Sequence, residues 1–117
     1  MSAAATFFDK WKTGTEAMKR EAPNIARGYG QFYHTVMVES VLSSREKELI
    51  AIAIALATQC TPCLYWHLRK AMDKGATPEQ ILEAAGVAVM MRGGPAFVHV
   101  PELLEALDYL RQSGGDG

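Results

Sequence analysis

The sequence predicts an all-α protein, and three features of the chain support this. Apolar residues recur at helical spacing in most segments. Two stretches, Ser43 to Glu46 and Thr77 to Gln80, place a hydroxyl residue three positions before a Glu or Gln, which is a helix-start pattern. Prolines and glycines divide the remainder into pieces of helical length, and no piece is typical of a strand. We therefore expect one bundle of about six helices.

The first two predicted helices carry many aromatic residues. Residues 4–20 combine Phe7, Phe8 and Trp11 with Lys and Glu, a mixture typical of an amphipathic helix. Pro23 suits the first turn of the second helix, because the amide hydrogen that proline lacks would be unpaired there. We expect the aromatic residues of the first helix to lie in the core or at a subunit interface.

The third predicted helix is the most apolar part of the chain. It follows the start signal at Ser43, and residues 49–57 form an uninterrupted apolar run. Ala alternates there with Ile or Leu, which also occurs in strands, but the length, the start signal and the alanine content favour a helix. Since this helix is apolar on every side, we expect it to be buried.

The sequence predicts three further helices before a flexible tail at residues 113–117. Prolines mark their starts, and glycines or the tail mark their ends. Their expected bounds are 62–74, 78–92 and 95–112, the last of them broken near Pro101.

Composition excludes several classes of protein. The 117 residues suit a single domain, 1–117, and the 12 basic and 13 acidic residues are interspersed, so we expect no nucleic-acid partner. The longest apolar run has nine residues (49–57), whereas a membrane-spanning helix needs about 20. Without a secretory pattern at the start, we expect a cytoplasmic location and no membrane association. The 49% apolar content favours a homo-oligomer.

The candidate chemistry lies in Cys60-Thr61-Pro62-Cys63, which contains both cysteines of the chain. A residue before proline avoids helical geometry, so we expect Thr61 to be the N-cap and Cys63 the second helical residue. Free amides and the helix dipole would stabilise a Cys63 thiolate there. His67, four residues later on the same face, can accept the thiol proton.

Two other interpretations of the cysteine pair remain open. Cys60, Cys63, His67 and Glu48 would together supply the four ligands of a structural zinc site, although this mixed set is uncommon. The thiols could also be inert and buried. We favour redox chemistry over both alternatives. Glu48 needs a partner if it is buried, but its spacing of twelve residues from Cys60 does not by itself direct it to the thiols.

Glu48, Cys60-x-x-Cys63 and His67 together resemble the signature of the alkylhydroperoxidase D-like branch of the carboxymuconolactone decarboxylase family. The resemblance extends over about residues 43–100. It implies an all-helical fold that assembles into a homotrimer or homohexamer and carries no cofactor. The lactone-decarboxylating branch lacks the paired cysteines, so the resemblance implies redox chemistry instead.

The resemblance also implies a role for each residue of the signature. Cys63 attacks a small-molecule peroxide or disulfide substrate, Cys60 resolves the oxidised product, and Glu48 and His67 transfer protons. A dithiol reductant then restores both thiols. Pro62 stands where well-known peroxidase members have a second histidine, so dithiol chemistry is implied more firmly than peroxidase activity. The alternative is a metal-stabilised or non-catalytic oligomeric member of the same fold.

Overall fold

The computed structural model describes residues 2–113, which form seven helices and no strand. They are α1 (Ala3–Glu21), α2 (Pro23–Met37), α3 (Ser44–Ala57), α4 (Thr61–Asp73), α5 (Pro78–Arg92), α6 (Gly94–Phe97) and α7 (Val100–Gln112). The predicted all-α class is confirmed. The last predicted helix is two helices, because the chain turns at residues 98–99 after the single turn of α6. The predicted flexible tail lies outside the described residues, apart from Ser113.

A single residue, Ala22, joins α1 to α2. The Ser2 hydroxyl caps α1 by accepting a hydrogen bond from the Ala5 amide at 3.1 Å, and Pro23 is the first residue of α2, as predicted. Helix α1 buries Ala4 and Phe8 in the core, whereas α2 buries none of its residues. Helix α2 therefore lies at the edge of the bundle.

Helix α3 is the central element and packs against α4 and α5. Its predicted start is confirmed by reciprocal hydrogen bonds between Ser43 and Glu46, of 2.8 and 3.0 Å. The expectation that α3 is buried on all sides is wrong for the single chain, since Ile50 and Ile54 are 48% and 57% exposed. The reason is that a bundle of so few helices does not surround its central element, and the face with Ile50 and Ile54 stays open.

The core lies between α3, α4, α5 and α7. Its largest fully buried apolar side chains come from all four helices: Ile52, Leu56, Leu64, Leu68, Ile81, Leu103 and Leu107. The second predicted helix start is also confirmed, because Thr77 and Gln80 form the same reciprocal hydrogen bonds at the start of α5. Within residues 2–113, no helix combines the length and the apolar character needed to cross a membrane.

Large apolar side chains remain exposed on several helices. On α2 they include Ile25 (67% exposed) and Phe32 (65%), and on α5 they include Met90 (72%) and Met91 (74%). Scattered exposed apolar residues are normal in monomers, but whole apolar faces are typical of surfaces that meet another protein. The single chain thus leaves apolar faces of α2, α3 and α5 uncovered.

Candidate active site

The two cysteines lie at the joint between α3 and α4. Gln59 has a positive φ of 59°, and this left-handed residue turns the chain so that the Cys60 amide donates to the Ala55 carbonyl at 2.9 Å. Cys60 is extended and serves as the N-cap of α4, because its sulfur accepts a hydrogen bond from the Cys63 amide at 3.3 Å. The start of α4 is therefore built by the cysteine pair itself.

The predicted cap of α4 is one residue too late. Thr61 is the first helical residue and Cys63 the third, not the cap and the second. The physical reason is that the Thr61 hydroxyl is used elsewhere, donating to Glu102 at the start of α7 at 2.8 Å. The Cys60 sulfur takes the capping position in its place. Cys63 still lies in the first turn, where the helix dipole favours negative charge.

The sulfur atoms of Cys60 and Cys63 are joined in a disulfide, with an S–S distance of 2.04 Å and a Cα–Cα distance of 5.3 Å. Cys63 is exposed and Cys60 is half-buried. Cys63 is therefore the cysteine residue that is more open to a molecule arriving from solvent. Cys60 is bonded to Cys63 and is the less exposed of the two residues.

Glu48 is the one buried charged residue within residues 2–113, with 2% of its surface exposed. One carboxylate oxygen lies 2.7 Å from His67 Nδ1, and the other accepts a hydrogen bond from the Tyr33 hydroxyl. The packing of α3 against α4 joins Glu48 to His67, which sequence spacing alone did not indicate. Both oxygens of the carboxylate thus have partners, as a buried charge requires.

Tyr33 is the member of this cluster that sequence reasoning missed. In the sequence it is one of several aromatic residues of the second helix, and nothing in its spacing connects it to Glu48, fifteen positions later. Burial, and then the hydrogen bond to Glu48, raise the pKa of Tyr33 above its usual value, so the hydroxyl remains a proton donor. The sequence offers only an indirect indication of such a residue. A buried carboxylate between helices needs more than one hydrogen-bond donor, so a donor besides His67 is required.

The hydrogen-bond partners assign the proton positions in the cluster. Carboxylate oxygens only accept, so Tyr33 donates its O–H to Glu48, and His67 donates its Nδ1–H. In neutral His67 this leaves Nε2 with a free electron pair. Because His67 follows Cys63 by one helical turn and both line the same cleft, Nε2 can exchange a proton with a group bound there.

The cleft has a volume of about 990 Å³ and lies between α1, α2 and α4. Its polar lining includes Cys63, His67 and Tyr33. Aromatic side chains form much of the remaining wall, among them Phe7, Trp11 and Trp66. Of the aromatic residues of α1, Phe8 is buried as expected, whereas Phe7 and Trp11 are half-buried, and all three line this cleft.

The other two histidines of the chain lie apart from this arrangement. His34 is exposed, and His99 lies 3.2 Å from Glu102, which also accepts from Thr61. In the described part of the chain, no three His, Cys, Asp or Glu side chains converge as a metal site would require. Of the four residues considered as zinc ligands, Cys60 and Cys63 form a disulfide, and Glu48 pairs with His67.

Comparisons with known proteins identify related sequences. Residues 23–106 match the model of the carboxymuconolactone decarboxylase family. An uncharacterized protein of the cox locus of Paracoccus denitrificans is 45% identical over 73 residues, and an uncharacterized protein of Cupriavidus necator is 35% identical over 69 residues. These matches cover 62% and 59% of this chain, but only 66% and 61% of the two relatives. The chain thus spans about two thirds of their length or less.

Solved structures show the same fold. A carboxymuconolactone decarboxylase family protein from Legionella pneumophila, in its apo form, has a TM-score of 0.85 and 31% identity, with 91% of this chain and 95% of that chain covered. A family member from Thermotoga maritima has a TM-score of 0.80 at 23% identity, covering 96% and 95%. Since the family model matches most of the chain, this protein belongs to the carboxymuconolactone decarboxylase family.

Proposed function

We propose that the protein is a dithiol-dependent oxidoreductase that reduces organic peroxides at Cys63, in the manner of the alkylhydroperoxidase D-like branch. One observation carries this proposal: an exposed cysteine at the start of a helix shares a cleft with His67, whose other ring nitrogen is held by the buried Glu48. Thiols react as thiolates, and this placement supplies both a base and a positive helix end.

In the first step, His67 Nε2 accepts the proton of the reduced Cys63. The Glu48 carboxylate stabilises the imidazolium that forms, through the hydrogen bond at Nδ1. The Cys63 thiolate then attacks one peroxide oxygen, so that an S–O bond forms as the O–O bond breaks. Cys63 becomes a sulfenic acid, and the other oxygen leaves as an alcohol with the proton from His67. The sulfur is oxidised by two electrons, which the peroxide accepts.

In the second step, the Cys60 thiol attacks the Cys63 sulfenic acid. An S–S bond forms, the S–O bond breaks, and water leaves with the Cys60 proton. The product is the disulfide seen in the structure. An external dithiol then supplies two electrons and two protons, becoming a disulfide itself and restoring both cysteine thiols.

The uncovered apolar faces support a further part of the proposal, that the protein is a homotrimer or homohexamer. Helix α2 contributes no buried residue, and Ile25 and Phe32 on it are about two-thirds exposed. A second copy of the chain would bury these faces, and oligomers of identical subunits are the commonest way to do so. Light scattering coupled to gel filtration measures the subunit number directly, and a monomer at micromolar concentration would disprove this part.

The chemistry is tested by titrating free thiols. Protein reduced with a dithiol and then freed of it should lose both thiols with one equivalent of cumene hydroperoxide. Cys60→Ser should retain one oxidised sulfur that dimedone traps as a sulfenic acid, whereas Cys63→Ser should not react. If both thiols of the unmodified protein remain alkylatable after the peroxide, the peroxidase proposal is wrong. If the two variants exchange behaviours, the assigned roles are reversed.

A further inference from the structure

Helix α1 forms one wall of the cleft that contains Cys63. The family match begins at residue 23, so this wall is built by a part of the chain that lies before the matched region. Three aromatic contacts join it to α4: Phe7 and Phe8 to Tyr65, with ring centroids 5.3 and 6.4 Å apart, and Trp11 to Trp66, at 5.6 Å. The segment outside the family match therefore shapes the space around the reactive sulfur.

The size and lining of the cleft indicate a bulky apolar ligand. A volume of about 990 Å³ is at the upper end of small-molecule sites and far exceeds the space that hydrogen peroxide needs. Phe7, Trp11 and Trp66 offer aromatic faces, and Met18 adds a flexible apolar side chain. Such a surface favours an aromatic or acyl group over a small polar molecule.

Charge in the cleft is unevenly distributed. Lys12 and Lys19 line it from α1, seven residues and thus two turns apart on the same face of that helix. Arg69 lines it from α4, with its guanidinium 4.6 Å from the centroid of the Phe8 ring. Asp9 is the single acidic side chain among the lining residues within 2–113. The balance is positive, which favours an anion.

We propose that the cleft binds an amphipathic organic carboxylate, with its apolar body against Trp11 and Trp66 and its carboxylate at Lys12 and Lys19. Helix α1 is then the specificity element, which holds the anionic end while the opposite end of the molecule reaches Cys63 on α4. The binding site stands independently of the reaction. The statement that such a carboxylate carries the reacting hydroperoxide rests on the proposed function.

The chain provides its own probe for the binding test. Trp11 and Trp66 are its two tryptophans, and both line the cleft. Decanoate and decanol, which share an apolar chain and differ in charge, should be titrated against the Cys63→Ser protein while tryptophan fluorescence is followed. We expect decanoate to bind about fivefold more tightly than decanol at low ionic strength, as two solvent-exposed cations would provide. Added salt should reduce this preference.

Variants of α1 separate charge recognition from simple apolar binding. The double variant Lys12→Gln/Lys19→Gln should bind decanoate and decanol equally, with its affinity for decanol unchanged. Lys10→Gln is the matched control, because Lys10 is exposed on α1 but does not line the cleft, and it should keep the preference for decanoate. Equal affinities for the two probes in the unmodified cleft would overturn the proposal. So would a decanoate preference that persists in the double variant, or no binding of either probe because a second copy of the chain fills the cleft.

A kinetic test links the site to the chemistry. Reduced protein should lose thiols about fivefold faster with linoleic acid hydroperoxide than with its methyl ester, and the double variant should lose this ratio. Equal rates for acid and ester would overturn the role of α1 in selecting the substrate. Selective decanoate binding without any thiol oxidation would instead leave the site standing and refute the proposed peroxidase function.

Discussion

Replacing Tyr33 by Phe removes one hydroxyl and tests the cluster around Glu48 more directly than any other single change. The hydroxyl donates to a carboxylate that is 2% exposed, so its loss leaves one carboxylate oxygen without a donor in a buried place. A hydrogen bond to a charged group contributes about 1.5–3 kcal/mol to folding. We therefore expect Tyr33→Phe to lower the free energy of unfolding by about 2 kcal/mol.

The expected change in melting temperature follows from the chain length. Unfolding entropy near 60 °C is about 2.1 cal/mol/K per residue, or about 0.25 kcal/mol/K for 117 residues, so about 2 kcal/mol corresponds to a decrease of about 8 °C. Calorimetry measures this decrease. All variants are compared at the same protein concentration, so that subunit association contributes equally to each melting temperature. A decrease of this size in melting temperature would make the Tyr33–Glu48 bond one of the more stabilising single hydrogen bonds of the fold.

Tyr29→Phe is the matched control for this measurement. Tyr29 lies one turn before Tyr33 on α2, is 65% exposed, and makes no hydrogen bond through its hydroxyl to any residue in 2–113. Surface substitutions of this kind change stability by less than about 0.5 kcal/mol, or about 2 °C here. If Tyr33→Phe melts within 2 °C of Tyr29→Phe, the hydroxyl does not stabilise Glu48 and the described cluster is wrong.

Three other perturbations follow from the same structure. Leu103 has no exposed surface, so Leu103→Ala should lower the free energy of unfolding in urea by about 2–5 kcal/mol. Its neighbour Leu104 is 48% exposed, and Leu104→Ala should lower it much less. Equal decreases for the two variants would contradict the described core. Thr61→Val removes the donor to Glu102 and should lower the free energy of unfolding by about 1–2 kcal/mol. Thr13→Val, at an exposed threonine, is the control. A decrease no larger than that of the control would show that this bond does not hold α4 to α7. Because burial and the Glu48 hydrogen bond raise the pKa of Tyr33, the folded protein keeps a proton that the unfolded chain loses near pH 10. This contribution is complete below about pH 10 and is lost as the pH rises further, so unfolding free energies measured from pH 9 to 11 should fall less steeply for Tyr33→Phe than for Tyr29→Phe.

Local sequence signals predicted most helix boundaries, because those boundaries depend on a few neighbouring residues. The reciprocal caps at Ser43 and Thr77 and the proline at the start of α2 require only contacts within one turn. The start of α4 was misplaced for the opposite reason. Its cap depends on Thr61 bonding to Glu102, forty-one positions away, and no local rule contains that contact.

The sequence predicts only the part of the candidate site that lies on a single helix. Cys63 and His67 are separated by one turn of α4, so their common face follows from helical geometry. Glu48 and Tyr33 come from two other helices, and their meeting depends on how α3 packs against α4 and how α2 lies beside them. The exposure of Ile50 and Ile54 was missed because periodicity shows that a face is apolar but not whether the same chain covers it.

The placement of α2 has a consequence for the shape of the cleft. This helix is fixed by polar attachments rather than by a buried face: the Tyr33 bond to Glu48, and the Lys47 ammonium donating to the carbonyls of Val36 and Val38, each at 2.8 Å. Moving it away would leave the buried Glu48 carboxylate without the Tyr33 donor, so the position of α2 depends on this bond. The width of the cleft on the α2 side is therefore set by Glu48, which does not itself line the cleft.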